Sequence, residues 1–136
     1  MKHNTVKAYG ESLITADATV TVLAAFSTEA NKAYLVTARV LALNRAISAD
    51  QAAGYVLYGT FRTDENGVLA QVGSTAATAT MEDNAAWAAL FAVSQTDAAG
   101  AANPEIRVTA TGAAATSIAW RADVEVNRVG LEAENS

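Results

Sequence analysis

Along most of this chain apolar and polar residues alternate with a period of two, the spacing that side chains have on a half-buried strand. The stretch "TVTVLAAF" puts Val20, Val22, Ala24 and Phe26 on one face, and "KAYLVTARVLAL" groups Tyr34, Val36, Ala38, Val40 and Ala42. The opposite face of the second stretch holds Leu35, Thr37, Arg39 and Leu41. A long strand with apolar residues on both sides is expected to have its outer face partly covered. "AAGYVLYGTFRTDENGVLAQVG" reads as a hairpin, with Tyr55, Leu57 and Phe61 on one parity and Val56, Tyr58 and Arg62 on the other. The chain turns at "DENG", where Gly67 supplies a positive φ, and Val68, Ala70 and Val72 return. Gly59, inside the first strand, marks a bulge or a place where a neighbouring aromatic needs room.

"TATMEDNAAWAALFAV" admits two readings. Thr80 followed by Asp83 resembles a helix capping box, which would start a helix from Glu82 to about Phe91. The alternation of Trp87, Ala89, Phe91 and Val93 favours instead one helical turn at "MEDN" followed by a strand from Trp87 to Val93. "QTDAAGAANPE" is a loop that ends at Pro104, the single proline, where a strand from Glu105 to Thr111 buries Ile106, Val108 and Ala110. The last segment, "TATGAAATSIAWRADVEVNRVG", turns Ile118, Trp120, Ala122, Val124 and Val126 inward. Its Arg121, Asp123 and Glu125 form an outward charged ladder, with cross-strand partners expected among Arg107 and Arg39.

These segments give roughly eight strands separated by turn signals, the pattern of an all-β chain folded as one antiparallel β-sandwich or jelly roll. Residues 1–10 read as an N-terminal arm, 11–130 as the sandwich domain and 131–136 as an acidic C-terminal tail. Composition sharpens this picture. The chain has 136 residues, enough for one core, and 51% of them are apolar, yet aromatics are only 7%. About a quarter is alanine, so the layers should be thin and closely spaced.

Charge and cysteine count exclude several classes. A net charge of −5 argues against nucleic acid as a partner, because phosphate binding needs a basic stripe. No run approaches the about 18 uncharged apolar residues of a membrane span, and "MKHNTVKAYG" lacks the apolar core of a signal peptide, so no membrane partner is expected. With no cysteine there is no disulfide framework and no thiolate site. Lys2, His3 and Lys7 form the one basic cluster, able to dock on an acidic neighbour, another copy included.

Catalytic constellations are scarce. The single histidine, His3, falls in the arm, which disfavours both a Ser-His-acid triad and a zinc site. Asp64 with Glu65 and Glu82 with Asp83 are adjacent carboxylates, but both pairs lie at turns, where acids serve solvation and capping. "DENG" lacks the oxygen-rich pattern of a calcium loop. Tyr55, Tyr58, Trp87 and Trp120 could form a sugar-stacking platform, although an alanine-rich core needs large residues to fill its volume. The chain is therefore expected to be no enzyme and to use no cofactor or metal.

One resemblance adds to this. The succession "KAYLVTARVLAL", "AAGYVLYGTFRTDENGVLAQVGS", "MEDNAAW" and "IRVTATGAAATSIAWRADVEVNRV", from about Tyr34 to Val129, resembles a module of virion proteins of tailed bacteriophages, and "VTATG" followed by "IAWRADVEV" is its most specific part. The resemblance implies a β-sandwich subunit of a phage particle. A short chain without shaft or coiled coil fits a capsid decoration, or cement, protein better than a fibre. Such a protein acts on the outer surface of the head after synthesis in the host cytoplasm, and its partners are the major capsid protein and itself, as a symmetric homo-oligomer with a trimer favoured. Lys2, His3 and Lys7 are then the candidate capsid contacts, and Leu35, Leu41 and Tyr58 the candidate oligomer interface. The alternative is a tail- or fibre-associated module that binds host surface glycan.

Overall fold

The computed structural model describes residues 5–131. Eight strands form among them: β1 (Thr5–Thr15), β2 (Thr21–Ser27), β3 (Lys32–Asn44), β4 (Ala52–Thr63), β5 (Leu69–Glu82), β6 (Ala88–Ser94), β7 (Glu105–Thr111) and β8 (Ile118–Gly130). A five-stranded sheet, ordered β1-β8-β3-β4-β5, packs on a three-stranded sheet, ordered β2-β7-β6, and every neighbouring pair is antiparallel. The chain is an all-β sandwich.

The alternation read from the sequence is what builds the core. Val36, Ala38, Val40 and Ala42 of β3 face inward beside Ile118, Trp120, Ala122 and Val124 of β8, all buried. Ile106, Val108 and Ala110 of β7 close the layer from the other sheet. Small residues line the centre of both sheets, and buried aromatics, among them Tyr55, Trp87 and Trp120, fill the space between them. Tyr55 stacks on Trp120 with centroids 6.5 Å apart, and Trp87 tilts against Trp120 at 6.2 Å. Trp120 Nε1 donates to Thr15 Oγ1 at 2.9 Å, tying β8 to β1 across the end of the sandwich.

Several expectations are corrected. Thr5–Gly10, read as part of an arm, pair with β8 as the first half of β1, because the outer edge of that central strand needs backbone partners. In β2 a bulge between Val22 and Ala24 inserts Leu23 into the core, so Val20 and Val22 point outward while Ala24 and Phe26 remain inside. The hairpin turns at Gly67 (φ 80°) as expected, but Asp64 Oδ1 accepts from the backbone N–H of both Asn66 and Val68. Val68 therefore belongs to the turn, and Leu69 is the first core residue of β5.

No helical turn forms at "MEDN". Met81 and Glu82 complete β5, the chain turns at residues 83–87, and the described residues contain no helix. Trp87, Ala89 and Phe91 are buried as their alternation required, but Val93 stands at the exposed end of β6. Gly59 lies where an aromatic needs room: a Cβ there would sit 2.8 Å from both Phe61 Cε1 and Phe91 Cδ2.

Two buried phenols give the fold a pH limit. Burial raises Tyr34 above its ordinary value of 10.0, and burial together with a 2.7 Å hydrogen bond to Glu82 and its charge raises Tyr55 further. The folded chain thus keeps protons that the unfolded chain releases near pH 10. Stability present below that pH is expected to fall as pH rises through and beyond it, measured as a declining urea midpoint between pH 9 and 11 (about the range set by tyrosine's ordinary pKa).

Candidate interaction surface

Five strands on three leave one broad sheet face outside the sandwich. Along β3 the outward positions are Ala33, Leu35, Thr37, Arg39, Leu41 and Leu43, and register places each beside outward residues of β4 and β8. At one end Ile14 of β1, Ala119 of β8, Leu43 of β3 and Ala52 of β4 form a rung. In the next rung Leu41 stands between Arg121 and Gly54, and Met81 of β5 lies beyond Gly54.

This end is apolar. Ile14, Leu41, Leu43 and Met81 are 56%, 63%, 57% and 69% exposed, around a floor of alanine and glycine. A shallow depression between Leu41 and Met81 is floored by Ala52 and Gly54 and bordered by Glu82 and Asp83. Leu41, Leu43 and Met81 neighbour one another only because Ala52 and Gly54, which lie between them, carry almost no side chain.

Charge occupies the middle of the face. Arg121 Nη2 and Asp123 Oδ1 pair at 2.9 Å along β8, and Arg39 Nη1 of β3 reaches across to Glu125 Oε1 of β8 at 3.8 Å. Arg39 is thus one of the ladder's expected partners. Arg107 is not: it stands on β7 of the other sheet, where its Nε lies 3.4 Å from Glu105. The four charges balance, so the face carries no net charge there to repel another protein surface.

Of the residues expected at an interface, Leu35, Leu41 and Tyr58 do share this face. Leu35 is 46% exposed and Tyr58, half-buried, stands on β4 opposite Thr37. Leu35 and Leu41 are separated by six residues, about 20 Å along the strand, so they mark two regions of one face. The covering that Leu35 and Leu41 led us to expect is not supplied by the described residues. Lys2 and His3 lie outside the described residues, and Lys7 pairs with Val126 in the register of β1 with β8.

Ile14, Leu43 and Met81 were not singled out from the sequence. Met81 was hidden because "MEDN" reads as a turn, and because the register shift at Thr78 reverses the parity of β5 and so brings Ala79 and Met81 to the outward face. The expected aromatic platform is dispersed: Tyr55, Trp87 and Trp120 are buried, and only Tyr58 reaches the surface. Three of the four paired acids have structural partners. Asp64 organises its turn, Asp83 Oδ2 accepts from Ala52 N–H at 2.9 Å, and Glu82 accepts from Tyr55.

An exposed apolar cluster beside balanced ion pairs, with only shallow relief, is suited to burial against another protein. No family model matches the chain, and no curated protein matches it. Among solved structures, that of the tailspike protein of Acinetobacter baumannii phage AM24 is similar, with a TM-score of 0.54 and 7% identity. The similarity covers 96% of this chain and 27% of the tailspike chain, so the present chain spans about a quarter of that protein. At this identity the likeness is one of fold. Bacillus endospore appendages, described as disulfide-linked pili, overlap more loosely, with a TM-score of 0.31 and 12% identity over 93% of this chain and 89% of that one.

Proposed function

We propose that this chain is a structural subunit of a tailed-bacteriophage particle, and specifically a capsid decoration protein. It seats the outward face of its five-stranded sheet on neighbouring subunits of the outer head shell, as part of a symmetric homo-oligomer. The observation that carries this reading is the outward apolar cluster of Ile14, Leu41, Leu43 and Met81 on an otherwise complete sandwich. The fold likeness to a segment of a phage tailspike and the sequence resemblance to a phage virion module both support the particle.

The mechanism is linkage without a chemical step. A protein that binds only the assembled shell stabilises that state by mass action, and several modest contacts in one oligomer act together. Lys2, His3 and Lys7 would steer the subunit onto an acidic shell surface, so Lys2→Glu with Lys7→Glu is expected to slow association and flatten its salt dependence.

Leu41→Asp tests the face itself. Leu41 is mostly exposed, so folding stability is expected to change by no more than about 0.5 kcal/mol. A carboxylate at the centre of the buried contact is expected to weaken co-sedimentation with shells at least tenfold, from the desolvation of an unpaired charge. Binding equal to that of the parent would remove the face from the account.

The tailspike likeness favours one second reading, a tail-associated module that binds host surface glycan. Calorimetry with host envelope polysaccharide separates the two. Tryptophan fluorescence would not, because Trp87 and Trp120 are each only 1% exposed.

A further inference from the structure

We infer that two copies of this chain join edge to edge through β5, pairing antiparallel over Ser74–Met81 so that two five-stranded sheets become one. The inference concerns self-association and stands apart from the particle reading. It leaves the outward face free for a larger partner.

The first observation is that β5 overhangs the sandwich. It is the longest strand, at 14 residues, and lies at the edge of the wide sheet. Leu69 is its only buried residue. Ala77 and Thr80 pair with Leu57 and Tyr55, which face the core, yet both are exposed, because the three-stranded sheet does not reach over them. From Val72 onward the strand is exposed except at half-buried Thr75 and Ala79, and its backbone ladder is with β4 alone.

The start of the edge is closed from within the chain. The Gln95 carboxamide accepts from Leu69 N–H at 3.1 Å and donates to Leu69 C=O at 2.7 Å, as a neighbouring strand would. Beyond the bulge near Gly73 (φ 74°) β4 pairs with one side of β5, and no strand pairs with its outer edge among the described residues. An edge of this kind offers a row of backbone donors and acceptors to any extended chain.

The chemistry of the edge selects its partner. Exposed edges are ordinarily protected by charge or proline. The other edge of the wide sheet, β1, carries Lys7 and Glu11, whereas Leu69–Met81 contains no charged residue and no proline. In a two-fold antiparallel pair each strand meets its own sequence, so any charge near the axis would meet a like charge. This sequence presents alanine, serine and threonine, which pack without clash and can hydrogen-bond across strands. The register shift at Thr78 interrupts the run, so the new backbone bonds come from the regular residues on either side of it, Ser74–Ala77 and Ala79–Met81. The pair is isologous and closes on itself, so it makes a dimer and not a fibre.

The absence of cysteine provides a clean test. The full chain is expected to sediment at twice its 14.0 kDa mass, and Thr78→Lys at the single mass with an unchanged circular dichroism spectrum. Single variants Ser74→Cys, Ala76→Cys, Thr78→Cys and Thr80→Cys, mildly oxidised, are expected to form a linked dimer several-fold faster at the position nearest the axis than Leu90→Cys on the other sheet does. That follows because a disulfide requires Cβ atoms about 3.5–4.5 Å apart. A monomer at the highest soluble concentration would overturn the inference. So would an oligomer, trimer included, in which no β5 cysteine links faster than Leu90→Cys, or one in which β5 cysteines link preferentially to Ser12→Cys on β1 in a mixed sample. If Thr78→Lys fails to fold, the cysteine series decides alone.

Discussion

Trp120→Ala is expected to lower folding stability by about 3–5 kcal/mol, the largest effect of any single truncation in this core. Trp120 is almost fully buried at the junction of both sheets, against Tyr55 on one side and Trp87 on the other. Half of the buried core residues are alanine or valine, which cannot extend into the space Trp120 leaves, and Tyr55 and Trp87 are held by their own packing, so the cavity persists. The indole N–H also satisfies Thr15 Oγ1, and its loss strands a buried hydroxyl at the end of β1. Thermal unfolding should fall by roughly 10–15 °C. Trp87 provides the control. Its Nε1 has no acceptor among the described residues, so Trp87→Phe removes an unsatisfied donor while Trp120→Phe breaks a made bond. Trp120→Phe is therefore expected to be the more damaging of the two, and equal melting temperatures would show that the Thr15 bond contributes nothing.

Gly59→Val is expected to cost about 3 kcal/mol or more, and Gly59→Ala about 1–3 kcal/mol. Gly59 faces the core opposite Val36, where a first side-chain carbon would overlap the rings of Phe61 and Phe91. Those rings meet edge to face at 5.5 Å and 84°, and both are buried, so neither can swing aside. Shortening one should make room. The double variant Gly59→Ala with Phe91→Leu is expected to be more stable than the sum of its single changes, the signature of two residues competing for one volume. Strict additivity in a denaturant titration would place the strain elsewhere.

The strands that were legible in the sequence are those in which one parity is apolar throughout. In the buried stretches Tyr34–Ala42 of β3, Ile106–Ala110 of β7 and Ile118–Val126 of β8, every inward position is Tyr, Val, Ala, Ile or Trp, and their assignment follows from period alone. β2 was misread at its start because a bulge changes which residues face inward, and nothing in "TVTVLAAF" marks the inserted Leu23. β5 was lost past Val72 for a different reason. "STAATAT" has neither an apolar nor a polar face, because the strand overhangs the second sheet and buries nothing on either side. The same overhang leaves the proposed self-contact without a signature in the pattern of apolar and polar residues.

The outward face was half legible. Leu35, Leu41 and Tyr58 stood out as apolar residues on the wrong parity of recognisable strands, and Arg39 as a partner for Glu125. Ile14 and Met81 sit on the edge strands, whose pairing partners come from distant parts of the chain. Only the register of β1 with β8 and of β4 with β5 brings them beside Leu43 and Leu41.

The proposed function has this chain bound to a phage head, as a structural subunit, through its outward sheet face. The most direct measurement is to add the purified protein to particles of the phage that encodes it, prepared without their own copy, and to locate it by electron cryomicroscopy. The account predicts regular density at symmetric positions on the outer head shell, with Leu41, Leu43 and Met81 against the capsid. Density confined to the tail, or no binding to the particle, would contradict it.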